Sequence, residues 1–209
     1  TRRSSDLDID YRPNLWGLAG HAEGESRYIA SEAVSAHLQS ILPECDLIVG
    51  TEEEVHIAGG TEDTLAALRS IRKLSDATIV LKRGPMGCVV YPGSIPDSLE
   101  GGIVGDGFPV EVCNVLGAGD AFMSGFLRGW LTGEAHETSA TWANACGAFA
   151  VSRLLCSPEN PTWTELESFL KNGSPHRALR HDASLNHIHW ATTRRAQPDG
   201  LMALAIDHR

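Results

Sequence analysis

The residues best suited to chemistry in this chain form the run Gly117-Ala118-Gly119-Asp120. Small residues ahead of a helix leave backbone N–H groups open to an anion, and the helix N-terminus adds a partial positive charge. A carboxylate in the same turn would repel a phosphate, so Asp120 makes chemical sense as a base that deprotonates a hydroxyl attacking that phosphate. A helix that merely begins with an aspartate in its first turn is the structural alternative.

Two better-known phosphate-binding motifs do not fit this stretch. The chain contains no G-x-x-x-x-G-K-[ST] run, which excludes a Walker-type loop. The dinucleotide fingerprint requires a third glycine where Phe122 stands, which disfavours a nicotinamide-dinucleotide site.

Strands and helices alternate around this run. Apolar stretches bounded by turn residues predict strands, and apolar residues at helical spacing predict helices. Residues 92–107 are predicted to be loop. The alternation predicts an α/β fold with a mostly parallel sheet covered on both faces. The predicted strands are 7–11, 46–50, 77–81, 88–91 and 109–112, and the predicted helices are 31–42, 61–74, 139–155, 164–170 and one that follows Asp120.

Composition limits the classes of partner. The chain has 17 Lys and Arg against 27 Asp and Glu, a net charge of −10, which argues against binding to nucleic acid or an anionic membrane. No stretch approaches the ~18–20 apolar residues of a membrane span. The five cysteines form no C-x-x-C pair, a pattern typical of reduced thiols in a cytoplasmic protein. Cys113 and Cys146 are predicted to be buried structural thiols.

The run VLGAGDAFMSGFLRGWL resembles the C-terminal signature of the PfkB, or ribokinase-like, family of sugar kinases. This resemblance implies the C-terminal half of a three-layer α/β/α sandwich and phosphoryl transfer from ATP, with Mg²⁺, to a sugar hydroxyl. Four further runs occur in the order typical of the family: DIDYRP at 8–13, GTEEE at 50–54, LKRGPMG at 81–87 and ANACGA at 143–148.

The resemblance implies a role for each matching residue at the reacting centre. Asp120 would be the catalytic base on the sugar hydroxyl. The backbone amides of Gly117, Ala118 and Gly119 would stabilise charge on the transferring phosphoryl group. Glu54 would act on magnesium through water.

The same resemblance implies a nucleotide side and a substrate side. Thr51 and Asp10 each stand where the family has Asn, and Asn114 stands where many members have Asp beside a monovalent-cation loop, which leaves K⁺ activation open. The nucleotide would be lined by Lys82, Gly84, Gly87 and Asn144, and the phosphates and substrate would be approached by Arg12 and Asp10.

Within the family, the runs at 75–93, 143–159 and 185–195 resemble bacterial kinases of 5-dehydro-2-deoxy-D-gluconate in which an aldolase-like barrel follows the kinase. The expected reaction is phosphorylation of the terminal hydroxyl of this sugar acid. Assembly of the protein into a homo-oligomer is left open. The start at Thr1 without a methionine and the abrupt end predict a piece of a longer protein. Residues 1–172 would be kinase, 173–200 a linker, and 201–209 the first strand of the barrel.

Three alternatives stay open. The sugar could instead be 2-keto-3-deoxygluconate, fructose or ribose. The chain could be a non-catalytic nucleotide-binding half that works only with further sequence. A metal-dependent lyase centred on the C-terminal histidines, among them His181, His187 and His189, is a third interpretation, although no recognised metal-ligand spacing is present.

Overall fold

A five-stranded sheet forms the centre of the computed structural model, which describes residues 5–18 and 29–193. The first three strands are mutually parallel, whereas β3–β4 and β4–β5 are antiparallel. The connection at 83–87 is too short for a crossover, so β4 returns beside β3 as a hairpin and the sheet is mixed. In spatial order the strands are β1 Asp6–Asp8, β2 Leu47–Thr51, β3 Thr78–Lys82, β4 Cys88–Tyr91 and β5 Ile103–Gly105.

Helices cover both faces of this sheet. Five of them are preceded by a cap residue whose side chain accepts a backbone N–H three residues on: Ser31, Thr51, Asp63, Thr162 and Asp182. Such caps satisfy donors that the first helical turn leaves open. Within the described residues the α-helices are α1 Glu32–Ile41, α2 Glu52–Gly59, α3 Thr64–Leu74, α4 Ala118–Thr132, α5 His136–Ser152, α6 Trp163–Asn172 and α7 Ala183–Thr192.

Alternating strand residues divide the core into two layers. Ile48 and Ile79 face α1, α2 and α3, whereas Val49 and Val80 face α4 and α5. Both sets are fully buried. Residues i and i+2 of a strand share one face, so this alternation produces a sheet buried on both sides. The three-layer α/β/α prediction is confirmed.

Helices α4 and α5 approach each other closely because glycines face α5 from α4. A Cβ added at Gly125 would lie 2.6 Å from the Trp142 carbonyl oxygen and 2.8 Å from Cα of Ala143. One added at Gly129 would lie 2.4 Å from Oγ of Ser139. The two backbones therefore pack at a distance that leaves no room for a side chain on α4.

The strand predicted at 109–112 is wrong, and the loop predicted at 92–107 contains β5 instead. Pro109 has no N–H for a ladder, and the Glu111 N–H donates to the Arg177 carbonyl rather than to a strand. Phe108 and Val110 pack on the cluster formed with α6. Their apolar pattern thus reflects contact with a helix layer.

The polar segment predicted to be a linker from residue 173 is folded as far as residue 193. Asp182 caps α7 by accepting the N–H groups of Ser184 and Leu185. Leu185 and His189, four residues apart, face inward and are buried. The basic residues of this segment, such as His176 and Arg177, lie mainly on its exposed side. The strand predicted at 201–209 lies outside the described residues, and the domain boundary at 172 stays a prediction.

No helix in the part of the chain that the structure describes has both the length and the apolar character needed to cross a membrane.

Two helical glycines should respond to alanine in opposite directions. Gly125→Ala should lower the free energy of unfolding by about 1–3 kcal/mol, because its Cβ meets the α5 backbone. Gly147→Ala is the matched control, since its nearest neighbours would lie 3.9 Å away. It should raise the free energy of unfolding by about 0.5–1 kcal/mol through reduced chain entropy. Urea denaturation measures both, and equal effects would contradict the packing described.

Candidate active site

The parallel strands bring three polar side chains to one edge of the sheet. β1 ends at Asp8, β2 ends at Thr51 and β3 ends at Lys82, and Thr51 pairs in register with Lys82. Carboxyl ends of parallel strands lie at the same edge, where open α/β sheets bind ligands. The edge also includes the start of α2, which carries Glu54 in its first turn.

Lys82 joins two carboxylates at this edge. Its Nζ lies 2.8 Å from Oδ1 of Asp8 and 3.5 Å from Oε2 of Glu54. The three side chains are mostly buried, with 12%, 25% and 15% of their surface exposed. An ammonium between two carboxylates leaves the cluster with one excess negative charge. Asp8 was not predicted to be a site residue. The signal in the sequence was a carboxylate that directly follows an apolar strand residue, Leu7.

Thr51 is the last residue of β2 and also the N-cap of α2. Its Oγ1 accepts the Glu54 N–H at 3.3 Å, and its own N–H donates to Oε2 of Glu54 at 2.7 Å. This reciprocal capping box fixes the rotamer of Glu54. The side chain of Glu54 is thereby oriented toward Lys82.

The predicted anion loop begins α4 with free backbone donors. Gly117 has φ 79°, a left-handed conformation suited to glycine, and precedes the first helical residue. Among the described residues, the amides of Gly117, Gly119 and Asp120 donate to no acceptor, as expected for a first helical turn. The Ala118 amide differs from its predicted role because it already donates to the Val115 carbonyl at 3.3 Å. Open donors at a helix start can bind an anion.

The loop and the Lys82 cluster form one site. A Cβ added at Gly119 would lie 3.8 Å from Nζ of Lys82 and 3.9 Å from Oδ2 of Asp8. Asp120 follows directly, is exposed, and makes no hydrogen bond or ion pair within residues 5–18 and 29–193. The structure therefore places an unengaged carboxylate next to open amides, one residue after the glycine that approaches Lys82.

The predicted nucleotide residues lie around the β3–β4 turn. Gly84 and Gly87 both have positive φ, 54° and 83°. A Cβ at Gly87 would lie 2.0 Å from the Gly105 carbonyl oxygen, so only glycine fits there. The same carbonyl accepts a hydrogen bond from Nδ2 of buried Asn144 at 3.0 Å. Asn144 thus joins α5 to β5 beside this turn, and its contact with a nucleotide stays a prediction.

The structure pairs Arg12 and Asp10 with each other beyond the end of β1. Nη2 of Arg12 lies 2.9 Å from Oδ1 of Asp10, and both side chains are more than half exposed. Asp10 has φ 33°, uncommon for a residue with a side chain. Their predicted contact with phosphates and substrate stays a prediction.

Glu54 keeps one carboxylate oxygen available for a metal-bound water. Its Oε2 is engaged by Thr51 and Lys82, whereas Oε1 makes no hydrogen bond within the described part of the chain. Magnesium prefers oxygen donors, retains several waters and commonly shares its coordination with substrate phosphates. This donor fits that kind of indirect contact. The described residues contain no group of three or more His, Cys, Asp or Glu side chains that could hold a metal alone.

His187 and His189 do not face the same side of the structure, although two residues at this spacing would do so on a strand. His187 and His189 lie on helix α7, where His187 is exposed and His189 is buried. Two residues apart on a helix, they face different directions. His189 instead forms a hydrogen bond from Nδ1 to Oε2 of Glu165 at 2.9 Å.

The prediction that Cys113 is buried is wrong, whereas Cys146 is buried as expected. The Cys113 N–H donates to the Val151 carbonyl, which fixes its backbone at the surface. Burial raises the pKa of Cys146 to about 11, and the pKa of Cys88 is raised to about 11 in the same way. All five cysteines are free.

Thiol labelling should separate these cysteines. At pH 8 a disulfide reagent such as DTNB should react quickly with exposed Cys113 and only after unfolding with Cys88 and Cys146, because burial limits access and keeps both protonated. Mass spectrometry of labelled peptides identifies the sites. Rapid labelling of Cys88 in the folded protein would contradict the packing around β4.

Two family models match successive parts of the chain. The model of the pfkB family carbohydrate kinases matches residues 21–163. That of an uncharacterised protein family conserved in bacteria, DUF2090, matches residues 165–209. The boundary between the two matches falls at the start of α6.

Individual relatives agree with the first match. The 5-dehydro-2-deoxygluconokinase of Geobacillus kaustophilus (strain HTA426) is 25% identical over 178 residues, which is 82% of this chain and 48% of that protein. The chain therefore spans about half the length of such relatives.

Solved structures share the fold. An E. coli protein described as a ribokinase II, in complex with ATP and Mg²⁺, has a TM-score of 0.65 and 21% identity over 80% of this chain and 48% of its own. Aminoimidazole riboside kinase from Salmonella enterica, with aminoimidazole riboside and an ATP analog, has a TM-score of 0.62 and 20% identity over 81% and 52%. With well over half of its length matched by the family model and a ribokinase-like fold, the chain belongs to the pfkB family of carbohydrate kinases.

Proposed function

We propose that this chain is the catalytic half of an ATP-dependent sugar kinase that phosphorylates the terminal hydroxyl of 5-dehydro-2-deoxy-D-gluconate. One observation carries the proposal. The carboxylate of Asp120 is unengaged in the first turn of α4, beside open backbone amides, and the preceding residue, Gly119, lies close to Nζ of Lys82. A base, an anion site and a nearby cation are the parts that phosphoryl transfer to an alcohol requires.

Each part has a distinct task in this reaction. Asp120 accepts the proton of the attacking hydroxyl, a contribution of about 10²–10⁴-fold in rate. The amides of Gly119 and Asp120 donate to the oxygens of the transferring phosphoryl group, where each donor contributes about 3–4 kcal/mol to transition-state stabilisation. Lys82 lowers the electrostatic cost of bringing phosphates next to Asp8 and Glu54.

Magnesium belongs to this proposal as a cofactor carried by the nucleotide. When bound, it neutralises phosphate charge during transfer. Glu54 would orient a magnesium-bound water through its free Oε1, and the capping box with Thr51 keeps that carboxylate in place. Gly84, Gly87 and Asn144 would line the nucleotide beside the β3–β4 turn.

The choice of sugar acid rests on the names of relatives such as the Geobacillus kaustophilus protein. At 25% identity and half their length, these relatives support the substrate class more strongly than the individual sugar. We therefore assign activity to the complete polypeptide that contains this sequence. The free cysteines fit a cytoplasmic enzyme, and the residues matched by DUF2090 would lead into the aldolase-like domain.

Asp120→Asn tests the assignment of the base. In the complete protein this variant should lower kcat by about 10²–10⁴-fold, because asparagine cannot accept the hydroxyl proton. The Kd for ATP, measured by titration calorimetry, should change little. Asp76→Asn is the control, since Asp76 is an exposed aspartate before β3, at the opposite edge of the sheet. Near-normal turnover in Asp120→Asn would refute the assignment.

A coupled ADP-release assay tests the substrate. We expect kcat/KM for 5-dehydro-2-deoxy-D-gluconate to exceed that for 2-keto-3-deoxygluconate, fructose and ribose by at least about tenfold, because polar sites discriminate strongly between hydroxyl patterns. A higher value for one of the other sugars would replace the proposed substrate. ATP binding without turnover of any sugar would favour a non-catalytic nucleotide-binding role.

A further inference from the structure

A buried charged cluster lies behind the candidate active site. Nη2 and Nη1 of Arg153 contact the two carboxylate oxygens of Glu165, and His189 contacts the same carboxylate from α7. The side chains of Arg153, Glu165 and His189 are 3%, 0% and 5% exposed. Charges buried this deeply are found only where paired, and the forked guanidinium–carboxylate pair fixes direction as well as distance.

Arg153 also controls the loop that follows α5. It is the C-terminal cap residue of α5, and its Nη1 donates to the Glu159 carbonyl at 2.9 Å. Within the loop, the Leu155 N–H donates to Oε2 of Glu159 at 2.7 Å. Leu154 and Leu155 are 67% and 52% exposed, so apolar burial does not hold this loop in place. Instead, the loop is held by polar contacts centred on Arg153.

The loop after α5 directly contacts the GAGD loop, residues 117–120. A Cβ added at Gly117 would lie 2.6 Å from Cβ of Cys156, so the two backbones are in close contact. Nδ2 of Asn114 donates to the Leu154 carbonyl at 2.9 Å, and Oδ1 of Asn114 accepts the Leu116 N–H at 3.1 Å. Displacement of residues 154–156 would therefore displace the turn that precedes the open amides.

We infer that Arg153 is a positioning residue for the GAGD loop, and that its counter-ion Glu165 is supplied by the segment that the DUF2090 family matches. The inference rests on the proposed kinase function and extends it. Glu165 and His189 both fall within residues 165–209, outside the pfkB match. The first helices of the following segment thus complete the support of the kinase catalytic loop.

The double variant Arg153→Met/Glu165→Gln tests this inference in the complete protein. It removes both charges together, which avoids leaving one buried charge unpaired, and glutamine can still accept a hydrogen bond from His189. We expect kcat to fall by about 10²-fold, the loss that a displacement near 1 Å causes, with the sugar KM nearly unchanged. Arg69→Met/Asp97→Asn, at an exposed Arg–Asp pair remote from the site, is the matched control and should leave kcat unchanged.

Hydrogen exchange provides a readout that does not depend on activity. The amides of Cys113, Asn114 and Leu116 are hydrogen-bonded, and their exchange should accelerate in the double variant. Arg153→Lys keeps the positive charge but cannot form the two-pronged contact with the carboxylate, so it should have an intermediate effect on kcat and on amide exchange. This variant tests the inference if the double variant does not fold.

Unchanged kcat and unchanged exchange in folded variants would overturn the inference, as would a lower unfolding midpoint with normal kcat. A wild-type protein without phosphotransfer would refute the proposed function instead, and the exchange result would still decide whether Arg153 positions the loop.

Discussion

The contact of Nζ of Lys82 with Asp8 and Glu54 is the interaction on which the site depends. It joins the ends of β1 and β3 and the first turn of α2, which are far apart in sequence. Without the cation, two mostly buried carboxylates would repel each other at the sheet edge. With it, the cluster keeps only one excess negative charge, and an ammonium group lies close to the start of α4, where an anion can bind without side-chain obstruction.

Backbone packing determines where the anion loop lies relative to this charge. Helix α4 rests on the sheet through Phe122 and Phe126 and on α5 through Gly125 and Gly129. Rigid contact on both sides sets the position of its first turn, and the loop after α5 meets Gly117 from behind. The open amides are therefore preorganised, which is the condition under which such donors stabilise a transition state effectively.

Local patterns in the sequence were sufficient for four of the five strands, most helices and the GAGD loop, because apolar periodicity and glycine placement report directly on backbone geometry. They were insufficient where distant residues decide. Asp8 becomes a site residue only through Lys82, 74 positions away. The strand expected at 109–112 is absent, and the Glu111 N–H donates instead to the Arg177 carbonyl, which is distant in sequence. The polar segment after residue 172 is anchored by His189, which pairs with Glu165, and Glu165 in turn pairs with Arg153.

The most direct test of the account is a crystal structure of the complete protein with a non-hydrolysable ATP analogue and the sugar acid. The account predicts the γ-phosphate within hydrogen-bond distance of the Gly119 and Asp120 amides. It also predicts the terminal hydroxyl of the sugar about 2.6–3.2 Å from the Asp120 carboxylate. A γ-phosphate bound away from the start of α4, or a sugar hydroxyl facing another base, would contradict it.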